Sequence, residues 1–217
     1  SRRDGAGLGG KGQIMTFLYR CAQTISFLYF KIFHRFRVSG LEHVPSDGAF
    51  LLASNHVSFF DPPALGCRVP RDLHYFARKS LFKGLLGKLI TALNSIPVDR
   101  GNSDVSSFKK ALKVLKKGSP LLVFPEGTRS LDGSLQTAKA GVGLLAIKAA
   151  VPILPARVIG GFDILGKGRK WPKFGHRLAI VYGPLLQIEN LDPGPKTAKR
   201  SQIVADAIME TVGNLKT

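Results

Sequence analysis

Short apolar runs alternate with helical segments along most of this chain, and this alternation restricts the fold more than any other feature. A run typical of a buried strand occupies residues 49–55, and further strand patterns occupy 73–78, 153–160 and 177–183. Residues 120–127 suit a strand followed by a loop, and 95–100 a short strand or turn. Helical periodicity occupies residues 80–93, 104–118, 139–150 and 196–213. Because parallel strands need crossover connections, usually helices, the pattern predicts an α/β fold with a largely parallel central sheet flanked by helices.

The first 36 residues differ from this pattern. Residues 1–14 are glycine-rich and without apolar period, so we expect an expression remnant or a disordered tail. Residues 15–36 are rich in aromatic and basic side chains, and their longest uncharged run, 21–30, has only ten residues. A membrane span needs about 20. We therefore predict an N-terminal amphipathic helix in the membrane interface, before an α/β domain at 37–217. The alternative is an ordinary helix that packs on the core.

The chain is strongly basic. It has 32 Lys and Arg against 14 Asp and Glu, a net charge of +18. Such a field attracts nucleic acid, anionic lipid or phosphorylated substrates. No zinc pattern, aromatic RNA-binding signature or helix-turn-helix pattern is visible, so we expect no nucleic-acid partner. The two cysteines, Cys21 and Cys67, form neither a disulfide framework nor a zinc site.

The stretch NHVSFFDPP places His56 five positions before Asp61. If His56 ends a strand and Asp61 is the N-cap of a helix with Pro62 at its first position, the loop between them lets the carboxylate reach the imidazole. Such a carboxylate fixes the histidine tautomer and stabilises the imidazolium formed when the other nitrogen accepts a proton. The alternative is a histidine at a strand end beside an ordinary helix cap.

Three further motifs follow in the sequence. VFPEGTRS (123–130) comes after an apolar strand, and it combines a glycine that permits close approach of a ligand with Arg129, a planar donor suited to phosphate. IPVDRG (96–101) supplies Arg100, and VPILPA (151–156) is apolar and stiffened by prolines. Taken singly, VFPEGTRS is equally compatible with a solvated loop, IPVDRG with a turn and VPILPA with an edge strand.

Together, in this order, the four motifs resemble those of the 1-acyl-glycerol-3-phosphate acyltransferases, within the glycerolipid acyltransferase family. The resemblance covers about residues 37 to 190 and implies transfer of a fatty acyl group from a thioester to the sn-2 hydroxyl of lysophosphatidic acid, giving phosphatidic acid. It implies that His56 is the general base and Asp61 its orienting carboxylate. The acceptor phosphate would be bound by residues of two motifs: Glu126, Gly127, Thr128, Arg129 and, assisting, Arg100.

The chain departs from the family pattern at two places that suit contacts with the acceptor head group. Where family members often have AKKEL, this chain has ARKSL, so Arg78 or Lys79 takes the basic role. Where they often have FKxG after FPEGTRS, this chain has AKAG, which places Lys139 at the corresponding lysine. These three residues join the predicted substrate-binding set.

The resemblance also implies the co-substrates and partners. The acyl donor is a thioester of acyl-carrier protein or of coenzyme A, and no resident cofactor is expected. One histidine with one carboxylate is not a metal ligand set, so no metal is expected either. Donors for the tetrahedral oxyanion would be backbone N–H groups at the helix start near Asp61 or a basic side chain. The protein would attach to an anionic membrane surface as a monotopic protein on the cytoplasmic face. Two alternatives stay open: an acyltransferase with another acceptor (glycerol-3-phosphate, another lysophospholipid or a lyso-aminolipid), and a non-catalytic binder of anionic membranes.

Overall fold

The computed structural model describes residues 17–98 and 105–217. Its centre is a seven-stranded sheet. The strands are β1 (Arg35–Ser39), β2 (Leu51–Ser54), β3 (His74–Arg78), β4 (Ser95–Val98), β5 (Leu121–Val123), β6 (Ile153–Ile159) and β7 (Arg177–Tyr182). Their order across the sheet is β1-β7-β6-β2-β5-β3-β4, and β6 with β7 is the one antiparallel pair among these strands. The predicted α/β fold with a largely parallel sheet is confirmed.

Helices cover both faces of the sheet. They are α1 (Phe17–Phe33), α2 (Asp61–Gly66), α3 (Gly84–Ala92), α4 (Val105–Lys116), α5 (Ala140–Ala149), α6 (Gly161–Leu165), α7 (Ile188–Leu191) and α8 (Arg200–Asn214). One core cluster joins α1, α2 and α6 to the sheet, and a second joins α4, α5, α7 and α8 to its other face. Strand β2 lies in the middle and is buried throughout, which explains why its first three residues are apolar on both faces; the fourth, Ser54, is small and also buried.

The direction of the strands determines where a site can form. Strands β2, β3, β4, β5 and β6 run parallel to one another, so their carboxyl ends lie along the same edge of the sheet. In open α/β sheets, ligands bind in the crevice outside this edge. The NHVSFFD and FPEGTRS motifs follow β2 and β5, which are hydrogen-bonded neighbours. Two motifs about 70 residues apart in sequence are thereby brought side by side, as their mutual hydrogen bonds confirm.

Some elements differ from the sequence predictions. Strand β1 was not predicted, nor were the short helices α6 and α7. The predicted helix at 80–93 is shorter, because residues 79–81 form a 3-10 turn and α3 starts only at Gly84. Asp61 is the first residue of α2, while Phe60 occupies the N-cap position, so the prediction that Asp61 is the N-cap is wrong by one position. Its carboxylate reaches back to the preceding loop instead.

Helix α1 packs on the α/β core and also presents apolar side chains to solvent. Phe30 is buried in the core cluster, and the Gln23 amide donates to the carbonyls of Gly66 (2.8 Å) and Val69 (2.7 Å). The outward side chains are exposed and mostly apolar: Phe17, Leu18, Ile25, Leu28, Ile32 and Phe33. The boundary predicted after residue 36 falls inside β1, so residues 35 and 36 belong to the sheet. Within the described residues, none of the helices has the length and apolar character needed to cross a bilayer.

Candidate active site

His56 and Asp61 are in direct contact at the carboxyl edge of the sheet. The His56 Nδ1 atom lies 2.8 Å from Asp61 Oδ2. The same carboxylate oxygen accepts the backbone N–H groups of Val57 and Ser58, each at 2.7 Å. Three donors on one oxygen suit an ionised carboxylate. Because Asp61 is only 1% exposed, burial raises its pKa, and these hydrogen bonds oppose that rise.

The contact orients the His56 ring for proton transfer. With Asp61 accepting at Nδ1, that nitrogen carries the hydrogen and Nε2 keeps its lone pair. The ring also stacks on Phe124, with 3.9 Å between centroids and 12° between planes. None of residues 17–98 and 105–217 forms a hydrogen bond with Nε2. The ring is thus held on one side and has a basic nitrogen available on the other.

Asn55 fixes the loop that carries His56. Its side-chain amide donates to the Val158 carbonyl at 3.0 Å and accepts the Val158 N–H at 2.8 Å. This pair of bonds joins the end of β2 to β6. The sequence analysis did not single out Asn55, although its place directly before His56 was a signal for such a role.

Glu126 connects the FPEGTRS loop (residues 124–130) to the backbone of His56. Its Oε1 accepts the His56 N–H at 3.2 Å, and its Oε2 accepts the Gln136 amide at 2.9 Å. Ser130 N–H also donates to the His56 carbonyl at 2.8 Å. Burial raises the pKa of Glu126 to about 7; the two hydrogen bonds oppose this, and the nearby Asp61 adds to it. Both carboxylate oxygens are therefore engaged within the protein, Oε1 with the His56 peptide N–H and Oε2 with the Gln136 side chain.

The remaining FPEGTRS residues present donors and cations at the same edge. Gly127 adopts φ +70°, and the aliphatic part of the Lys139 side chain lies across it, so any Cβ there would be 3.0 Å from Lys139 Cδ. The Arg129 guanidinium lies 5.9 Å from the ring centroid of Phe59. The N–H groups of Thr128 and Arg129 form no hydrogen bond with the described residues. Arg129 of this loop and the neighbouring Lys139 therefore place two positive charges beside two available backbone donors.

The other predicted site residues are Arg78, Lys79 and Arg100, and the structure describes the first two. Arg78 ends β3 and Lys79 begins the following 3-10 turn, so both lie at the carboxyl edge, and both are exposed. Strand β3 is the neighbour of β5 on the side away from β2. Arg100 lies outside the described residues. In residues 17–98 and 105–217, no group of three or more His, Cys, Asp or Glu side chains is arranged to hold a metal ion.

The start of α2 offers no donors for an oxyanion. Asp61 accepts from Val57 and Ser58, the Phe59 N–H donates to the Leu165 carbonyl at 3.1 Å, and the Phe60 N–H donates to Ser58 Oγ at 3.2 Å. Because these N–H groups are already bonded, the expectation that they stabilise a tetrahedral intermediate is wrong for this arrangement. The other expectation, a basic side chain as donor to the oxyanion, stays a prediction.

Gly161 is a further residue that the sequence analysis did not single out. A Cβ at this position would lie 3.0 Å from Asp61 Oδ1 and 3.1 Å from Val158 Cγ1. Ser58, beside it, donates its hydroxyl to the Leu165 carbonyl at 3.0 Å. The start of α6 therefore packs directly behind the His56–Asp61 pair, where a side chain would displace the carboxylate.

Comparison with known proteins identifies the family. The family model described as Acyltransferase matches residues 35–159, more than half of the chain, and this range contains His56, Asp61 and the FPEGTRS loop. The chain belongs to the acyltransferase family. The prediction that it is an acyltransferase is confirmed.

Curated relatives and a solved structure agree with this family. The 1-acyl-sn-glycerol-3-phosphate acyltransferase of Bacillus subtilis is 32% identical over 155 residues, covering 70% of this chain and 75% of that protein. The protein of the same name from Pseudomonas aeruginosa is 28% identical over 83% of this chain and 70% of its own. The chain spans 44% of the length of the chloroplastic relative from Arabidopsis thaliana.

The fold is shared with an acyltransferase crystal structure. The 1-acyl-sn-glycerophosphate (LPA) acyltransferase, PlsC, from Thermotoga maritima superimposes with a TM-score of 0.75 and 25% sequence identity. The match covers 90% of this chain and 78% of that chain. The α/β architecture described above is therefore that of an acyltransferase of this family.

Proposed function

We propose that this acyltransferase moves a fatty acyl group from a thioester to the sn-2 hydroxyl of lysophosphatidic acid, giving phosphatidic acid. The observation that carries the proposal is the His56–Asp61 contact of 2.8 Å at the carboxyl edge of the sheet, beside a loop with cations and available N–H groups. The names of the relatives from Bacillus subtilis and Pseudomonas aeruginosa support lysophosphatidic acid as the acceptor.

In the proposed reaction, His56 Nε2 accepts the proton of the acceptor hydroxyl. The hydroxyl oxygen attacks the thioester carbonyl carbon and forms a tetrahedral intermediate. As this intermediate collapses, the C–S bond breaks, the new ester forms, and the leaving thiolate takes the proton from His56. Asp61 stabilises the imidazolium between the two steps. Since the thioester is already activated, no protein nucleophile is needed.

The FPEGTRS loop would bind the acceptor phosphate. Arg129 offers a planar pair of donors, Lys139 adds a second positive charge, and the N–H groups of Thr128 and Arg129 point to no described partner. Anions are well bound by such a combination of backbone N–H groups and cations. Glu126, whose oxygens are both occupied, would position His56 rather than touch the phosphate. Arg78 and Lys79 would assist from the carboxyl end of β3, on the other side of β5. Arg100, outside the described residues, stays a predicted contact of the phosphate.

The acceptor is an amphiphile, so the site has to meet a membrane surface. The exposed apolar side chains of α1 suit insertion into one leaflet, with basic residues at the level of anionic headgroups. We infer a monotopic attachment at the cytoplasmic face, where both thioester donors occur. Donor, acceptor and bilayer are all anionic, which matches the net charge of +18.

An acceptor panel tests the proposal. The purified protein is assayed with lysophosphatidic acid, glycerol-3-phosphate, a zwitterionic lysophospholipid and monoacylglycerol, each with acyl-carrier-protein and coenzyme A thioesters. We expect the highest kcat/KM with lysophosphatidic acid, and loss of that activity in His56→Ala. Preference for another acceptor would contradict the proposed substrate, and absence of transfer to every acceptor would contradict the enzymatic role.

A further inference from the structure

The loop between α6 and β7 is both strongly basic and aromatic. This Trp171 loop (residues 166–174) has the sequence GKGRKWPKF, with four cations and no acidic residue. Trp171 is 81% exposed and Phe174 is 59% exposed. Lys167, Lys170 and Lys173 are exposed as well. Exposed apolar side chains that adjoin one another, unlike single exposed rings, mark contacts with a partner or a membrane.

The Trp171 loop is fixed to the fold at both ends. The Lys173 N–H donates to the Ile164 carbonyl at 2.9 Å, and the Gly175 N–H donates to the Phe33 carbonyl at 2.8 Å. The Phe174 ring lies 5.2 Å from the ring of Phe33, at the end of α1. The backbone beside the two exposed rings is therefore fixed to the fold, and the Phe174 ring is in addition packed against α1.

This attachment joins the loop to the exposed apolar side of α1. Phe33, which Phe174 contacts, is itself partly exposed, and its neighbour Ile32 is 70% exposed. Phe174 thus extends the exposed apolar side of α1 into the Trp171 loop. Trp171 is three residues from Phe174, and Lys170 and Lys173 are among the residues beside it in the sequence.

We infer that the Trp171 loop is a second membrane contact, in which Trp171 and Phe174 enter the headgroup region of an anionic bilayer beside α1. Indole rings favour that depth, because they are apolar with one polar N–H, and lysines beside them bind anionic headgroups. An acidic protein would match the charge of the loop, but it would not account for two exposed aromatic rings, one of which contacts the exposed apolar side of α1.

The contact would also orient the active site, an inference that rests on the proposed function. At the base of the loop, the Leu165 carbonyl accepts both the Ser58 hydroxyl and the Phe59 N–H of the loop that carries His56. Anchoring the Trp171 loop would therefore hold the neighbouring catalytic loop close to the surface from which the lipid acceptor arrives.

Trp171 is the single tryptophan of the chain, so its fluorescence reports on this loop in the unmodified protein. The protein is titrated with phosphatidylglycerol–phosphatidylcholine vesicles, with binding measured in parallel by co-sedimentation. We expect a blue shift of the emission and strong quenching by lipids brominated near the headgroup end of the acyl chain. Unshifted, unquenched emission from protein that has sedimented with vesicles would overturn the inference.

Matched substitutions test the contribution of the loop to binding. Trp171→Ala should lower the partition coefficient of the protein onto these vesicles by roughly tenfold or more, because the variant has no indole ring to place in the bilayer. Ile203→Ala, at a 43% exposed position of α8 on the opposite face of the sheet, should leave it unchanged. Lys167→Gln with Lys170→Gln should weaken binding at low salt by about tenfold or more. Equal effects of the paired Lys109→Gln and Lys110→Gln control on α4 would overturn the local role of the loop.

Activity on a short-chain lysophosphatidate below its micellar concentration separates this inference from the proposed function. We expect the Trp171 and lysine variants to keep wild-type activity on this soluble acceptor while losing activity on vesicles. If the wild type is inactive on every acceptor, the proposed function fails, while the fluorescence still decides whether the loop enters lipid. A blue shift with soluble acyl-carrier protein but not with vesicles would overturn the inference in favour of an acidic partner.

Discussion

Replacing Asp61 by asparagine removes the charge that stabilises the His56 imidazolium while keeping the size of the side chain. The Nδ1–Oδ2 distance of 2.8 Å places the two charge centres roughly 4 Å apart. At an effective dielectric constant of about 20, their attraction is about 4 kcal/mol, which corresponds to about a 10³-fold loss of kcat. The KM for the acceptor should change little, because the charge pair forms only as the reaction proceeds.

The assay compares steady-state acyl transfer to lysophosphatidic acid by wild type, Asp61→Asn and Asp206→Asn. The last variant removes an exposed carboxylate on α8 and serves as the charge-matched control. The asparagine oxygen can still accept the Val57 and Ser58 N–H groups, so melting temperatures should confirm an intact fold. A double variant with His56→Ala should be no slower than His56→Ala alone. Retention of kcat within tenfold of wild type in Asp61→Asn would refute the role given to this carboxylate.

Three further predictions concern the residues around the pair. Arg129→Lys should lower kcat/KM on lysophosphatidic acid by about tenfold to a hundredfold, and far less on monoacylglycerol; equal losses would show that Arg129 does not bind the phosphate. Glu126 has a pKa raised from 4.5 to about 7, so the folded state binds its proton more tightly and stability falls as pH rises from about 4.5 through 7. Because glutamine does not titrate, the unfolding free energy of Glu126→Gln should rise relative to that of wild type by up to about 3 kcal/mol as the pH increases from 5 to 8, measured by urea denaturation. A difference that does not depend on pH would contradict this. Gly161→Ala should lower kcat by several-fold to tenfold with an almost unchanged melting temperature, because its methyl group presses on Asp61 Oδ1; wild-type kcat would show that the carboxylate tolerates the shift.

The fold was largely predictable because its central strands are buried on both faces. The consecutive apolar residues of β2 (51–53) and β5 (121–123) are a direct consequence of this burial. Strand β1 was missed because it lies at the edge of the sheet, where Arg35 and Arg37 alternate with Phe36 and Val38 and resemble a basic interfacial segment. Helices α6 and α7 have five and four residues, too few for a helical period to be recognised.

The contacts of the site were harder to predict than its motifs. The spacing of His56 and Asp61 allowed contact, but it did not reveal that Asp61 would accept two backbone N–H groups instead of capping its helix. Asn55 depends on β6, a strand about 100 residues later, and Gly161 depends on the turn after that strand. Glu126 reaches the His56 backbone only because β2 and β5 are neighbours in the sheet. Such partners follow from the order of the strands, which the sequence pattern leaves open.

The role of His56 as the base is tested most directly by the His56→Ala variant. Its kcat on lysophosphatidic acid and an acyl thioester is compared with wild type, and acceptor binding is measured separately by calorimetry. Because general-base catalysis contributes about 10²–10⁴-fold, kcat should fall at least that far while acceptor affinity stays nearly constant. A kcat within tenfold of wild type, in a variant that is folded and binds the acceptor, would contradict the assignment of His56 as the base.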